Sequence, residues 1–190
     1  MKYVFVLLAA FLTFSLTSTS NANQFDDAMR AYTAAGQRII DMVNSDQVDV
    51  AAVEKEVIAT VAAGVTLANA YSAKFPQGKA VLDKVITTAA KTDASGNVMG
   101  VGAMAGMSFA EIEGDWHDTE YFTKNDHGLD LQEEDNEHFT DPMHTIIHPV
   151  MVLVAAKDYS KDKNPEHLKA MKAEMQEGME QVENTANTVK

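Results

Sequence analysis

A cysteine-free chain of 190 residues with a formal net charge of −13 rules out several functions before any motif is read. Disulfides, covalent c-type haem, iron–sulfur clusters, thiolate zinc sites and blue copper centres all need cysteine. The acidic surplus argues against nucleic acid or an anionic membrane as partner and leaves cations and basic proteins as the matched ligands.

The chain opens Met1-Lys2, runs almost without a polar residue from Tyr3 to Leu16, and continues in small residues to Ser20-Asn21-Ala22. A basic start, a short apolar run and a small-x-small end predict a secretory signal peptide over 1–22. The run is shorter than the roughly 20 apolar residues of a membrane span, and no later segment is long and apolar enough to be one. Cleavage after Ala22 would leave a mature chain 23–190, periplasmic or secreted and not inserted in a membrane. Its length suits one domain that rests on its own core.

Beyond Gln24 the pattern is helical. Phe25, Met29, Tyr32, Ile39, Ile40 and Val43 recur at helical spacings, one face of an amphipathic helix. Asn44-Ser45-Asp46 interrupts it, and Asp49 is placed to cap a second helix of about 25 residues with Val50, Val53, Val57, Val61, Val65 and Leu67 inward. Phe75-Pro76-Gln77-Gly78 breaks the chain. A third helix is expected from about Gly78 to Lys91, burying Val81, Leu82, Val85 and Ile86, and 92–97 is a turn. Val98–Ile112 interleaves Gly100, Gly102, Gly106 and alanines with Met99, Met104, Met107 and Phe109. It reads as a helix whose small residues admit a neighbouring backbone, although each glycine costs about 1 kcal/mol there. Its Gly-x-Gly-x-x-x-Gly spacing is not a dinucleotide fingerprint, and no strand precedes it.

The next stretch concentrates the chemistry. Between Glu111 and Asp141 lie twelve acids against the single Lys124, and Glu111–His148 holds five of the six histidines, His117, His127, His138, His144 and His148. The weakly periodic segment from Asp115 to Thr140 reads as an acidic, histidine-bearing insertion at about 113–141, long for a loop without a function. Asp141-Pro142 restarts the helix, Asp as N-cap and Pro in the first turn. Val150–Ala156 is apolar on every side and so central to the core. Asn164-Pro165-Glu166 begins a last helix reaching about Asn184, with Leu168, Met171, Met175, Met179 and Val182 inward. The expected fold is an all-α, single-domain bundle of about five or six helices.

A divalent metal site needs lone-pair donors converging at about 2.0–2.2 Å on one point, and imidazole and carboxylate are the strong donors in this chain. His144 and His148 are four apart and share a helix face. Pro149 compromises the pair, because proline disfavours α geometry at the preceding residue and clashes with the carbonyl four back, here Thr145. A site should therefore draw a further donor from across the insertion. The candidate ligands are His117, Asp118, His138, His144 and His148, for a divalent or transition metal, with zinc, copper and nickel not distinguished.

Other readings compete. His127 sits beside Gly128 at a turn tip, and His167 beside Glu166 reads as structural. An EF-hand placed on Gly128 fails at Thr123 and His127, which leaves only an irregular calcium site. The stripe Met171, Met175, Met179 suits soft copper and equally an adaptable core. Haem b could be held by Met29 with His167 or His148. The acidic insertion could instead dock a basic partner protein. No GxSxG, P-loop or cysteine nucleophile is present, so no reaction is named. Trp116 could wall a pocket or anchor the insertion to the bundle.

Overall fold

The computed structural model describes residues 24–45, 48–117 and 139–189, and the fold is helical, as the periodicity predicts. Helix α1 covers 24–44. Helix α2, Val50–Lys74, begins at the expected cap, where the Asp49 carboxylate accepts the Ala51 backbone N–H at 2.9 Å. A 3₁₀ turn, Pro76–Gly78, leads into α3, Lys79–Ala89. Helix α5, Thr140–Asp162, and helix α6, Pro165–Val189, complete the bundle. The expected signal peptide, with Asp118, His127 and His138 from the insertion, lies outside the described residues.

Val98–Ile112 is not one helix. Strand β1, Ala90–Thr92, pairs antiparallel with β2, Val98–Val101. A 3₁₀ turn, Ala103–Gly106, and the one-turn helix α4, Phe109–Ile112, follow. Glycine weakens a helix interior, and Ser108 and Glu111 form a capping box that starts a new helix late in the segment. The expected backbone approach does occur, at Gly102: its N–H bonds the Ala89 carbonyl at 2.7 Å, and a Cβ there would lie 2.3 Å from the Thr88 carbonyl oxygen. Two boundaries also move. Helix α5 starts at Thr140 behind the fully buried Phe139, so Asp141 sits inside the first turn rather than at the cap. Helix α6 runs to Val189, where the Lys74 ammonium donates to the carbonyls of Thr188 and Val189 at 2.8 and 3.1 Å.

Helix α5 is the axis of the fold. Every residue from Pro142 to Ala156 is buried, and the helix packs on α2, α3, α4 and α6, most extensively on α6. That surround explains why Pro149 does not end it. A proline in a helix interior costs about 3 kcal/mol and removes one hydrogen bond; fifteen consecutive buried side chains offset that. The Thr145 carbonyl, which Pro149 leaves without its N–H donor, faces Gly64 of α2. A Cβ on Gly64 would lie 2.7 Å from that oxygen, so only glycine lets α2 and α5 come this close. On the other side Met171 and Met175 of α6 are fully buried, and Met175 and Met179 reach Gly36 of α1. The methionine stripe is core, filled by flexible side chains. Trp116 is buried too, which ties the start of the acidic stretch to the bundle.

Candidate metal centre

Three histidines meet where α5 passes between α4 and α6. His144 and His148 project from α5 one turn apart, 7% and 1% exposed, with ring centroids 5.2 Å apart at 61°. His117 comes from the opposite side. It ends Glu113–His117, a π-helical turn that prolongs α4, a rare geometry that recurs at functional sites. Its ring stacks on His144 at 4.4 Å and 10° and meets His148 edge-on at 4.9 Å and 71°. One ligand atom from each histidine lies within 4.8 Å of the other two, so the group can hold a metal ion.

Each buried imidazole is oriented by one nitrogen. His144 Nε2–H donates to the His117 carbonyl at 2.8 Å, which leaves Nδ1 with the free lone pair. His148 Nδ1 lies 2.8 Å from Glu174 Oε2 on α6; with the carboxylate ionised Nδ1–H donates, and Nε2 keeps the lone pair. Such oxygen partners on the second nitrogen fix tautomer and ring direction in metal-ligating histidines. His117 is held more loosely, its Nδ1 3.8 Å from Glu113 Oε1 and its side chain 25% exposed.

Burial sets the protonation. Desolvation pushes His144 down to about 3, against a partial rescue by its bond to the His117 carbonyl. It pushes His148 down to about 4, helped by His117 and opposed by Glu177 and Glu113. Both rings are neutral at pH 7, the form in which a metal takes them. Glu174 is raised to about 7, first by burial and then by Glu113. Burial disfavours charge on both partners, so the contact is a hydrogen bond from a neutral imidazole to the carboxyl group of Glu174 rather than a strong ion pair.

The rings also show what has to move. An ion lies near the plane of each imidazole that binds it, and the parallel planes of His117 and His144 do not meet. The crossed rings of His144 and His148 would suit a shared ion, and for His117 to join them its ring would have to turn out of the stack.

Of the expected ligands, the fold brings together His117, His144 and His148. Asp118 and His138 lie outside the described residues. His167 is apart, its Nε2 3.1 Å from Asp162 Oδ2 at the start of α6, the structural role anticipated for it. Glu174, Glu113 and Glu177 were missed. Glu174 had a readable signal: three residues after Met171 and beside Met175, it puts an acid on the inward face of α6. No family model matches the chain, and no curated protein or solved structure shows significant similarity to it.

Proposed function

We propose that the chain is an exported metal-binding protein that takes a divalent transition-metal ion at His117, His144 and His148. The observation that carries this reading is the tautomer arrangement. Two buried, neutral imidazoles each have one nitrogen tied to an oxygen and the other left as a donor, with a third imidazole beside them. A nitrogen donor set suits zinc, copper and nickel over calcium or magnesium. Glu174 is the outer partner that holds His148 and, once the ion is in place, remains ionised. The signal-like start of the chain supports export, which N-terminal sequencing of the protein recovered from a periplasmic or culture fraction checks by a first residue at Asn23.

Calorimetric titration of the untagged protein with Zn²⁺, Cu²⁺ and Ni²⁺ tests the metal. At least one should bind with Kd below about 10 µM, some −7 kcal/mol, and should raise the unfolding midpoint until a chelator is added. The double variant His144→Ala/His148→Ala should lose this, while His167→Ala keeps it. Equal binding by the double variant refutes the site.

A further inference from the structure

The three-histidine group has a neighbour that shares one of its members. His148, Glu174 and Glu177 each offer a ligand atom within 4.8 Å of the others. His148 therefore belongs to two donor sets: its Nδ1 faces Glu174, and its other ring nitrogen, Nε2, is free to serve the set with His117 and His144. We propose that the site is dinuclear, with the His148 imidazole bridging one divalent ion held by His117 and His144 to a second held by Glu174 and Glu177. This rests on the metal-binding reading above.

Distance and charge carry it. Two donors each about 2.0–2.2 Å from one ion stand roughly 3.0–3.5 Å apart, and His148 Nδ1 and Glu174 Oε2 are 2.8 Å apart. A shift of a few tenths of an ångström opens that hydrogen bond into a chelate. Glu177 is exposed while Glu174 is not, so the second donor set reaches solvent. Glu113, Glu174 and Glu177 surround the histidines, and among the described residues no lysine or arginine is ion-paired to them. One divalent ion leaves these three carboxylates in excess. Two ions, with His148 as imidazolate, balance them. The step is a simple exchange: a bond forms between the second ion and Nδ1, the Nδ1 proton leaves to solvent, and nothing is oxidised or reduced.

Copper reads the bridge directly, because an imidazolate couples two Cu²⁺ spins. The untagged protein titrated with Cu²⁺ should take up two ions per chain, with a double-integrated EPR intensity well below the copper present. Glu177→Gln, a change at an exposed side chain, should leave one ion with full intensity and the tight site intact. A single ion in the unsubstituted protein overturns the bridge and leaves the three-histidine site standing. So do two ions with full, uncoupled intensity, or Glu177→Gln changing neither stoichiometry nor intensity. No uptake at all removes both readings.

Discussion

His148 and Glu174, 26 residues apart in sequence, face each other across the α5–α6 contact at 2.8 Å, with side chains 1% and 12% exposed. Neither side chain has an apolar reason to be there. This extensive helix contact thus carries a polar pair.

Removing the carboxylate should loosen the metal without unfolding the chain. Outer-shell partners of ligating histidines are typically worth 10–100-fold in affinity. Glu174→Ala should weaken the tighter ion by about that factor, and Glu174→Gln, which still accepts from Nδ1–H, by less. Competition against a chromogenic chelator measures both, and equal affinities in all three proteins would show that Glu174 does not orient His148.

Acid should destabilise the metal-free protein over a definite window. A histidine whose proton affinity falls on folding is charged more readily in the unfolded chain, so lowering the pH through 6.5 favours unfolding. His144 and His148, at about 3 and about 4 when folded, each act this way. Glu174, raised to about 7, binds its proton in the folded chain first and opposes them. Two against one leaves a net loss of about 1.4 kcal/mol per pH unit, or about 2 kcal/mol between pH 6.5 and 5. Urea midpoints at the two pH values test this, and Glu174→Gln should make the loss steeper. A flat or rising profile contradicts the burial of two neutral histidines.

The α2–α5 contact should be intolerant of one methyl group. Gly64→Ala places a carbon 2.7 Å from the backbone oxygen of Thr145, which no rotamer change relieves. Overpacking of this kind costs about 1–3 kcal/mol. Gly106→Ala, where a Cβ would meet nothing within 4 Å, is the control and should be near neutral in the same denaturation experiment.

Tyr32 should be better replaced than kept, as far as stability goes. Its hydroxyl is fully buried with no hydrogen-bond partner among the described residues. It rests 2.6 Å from where a Cβ on Gly178 would lie, and His148 Cβ rests 3.2 Å from the same point. An unsatisfied buried hydroxyl costs about 1–3 kcal/mol. Tyr32→Phe keeps the ring and should raise stability by about 1 kcal/mol. A clear loss would reveal a partner for that hydroxyl, such as an enclosed water.

Much of the fold was legible because it depends on local rules. The periods of α1, α2 and α6, the Asp49 cap and the breaks at Phe75-Pro76 and Asn164-Pro165 follow from spacing, cap chemistry and proline sterics acting over a few residues. The form of Val98–Ile112 was not legible, because alternating small and apolar residues suit a packed helix and a hairpin with a tight turn alike. Which one forms depends on whether a second chain segment, here the end of α3, lies alongside. The continuation of α5 through Pro149 has a related cause. The proline's local penalty is real, but the burial that offsets it comes from helices distant in sequence.

The site divides along the same line. Composition and the four-residue spacing of His144 and His148 determined that histidines and acids capable of holding a metal were present, and which pair shared a face. Only the tertiary structure decided that the His117 ring lies against that pair, that Glu174 from the last helix meets His148, and that Glu177 stands beside it. Side-chain spacing predicts neighbours within one helix, where geometry repeats. Convergence between helices depends on how their apolar faces pack, and no residue along the chain carries that information by itself.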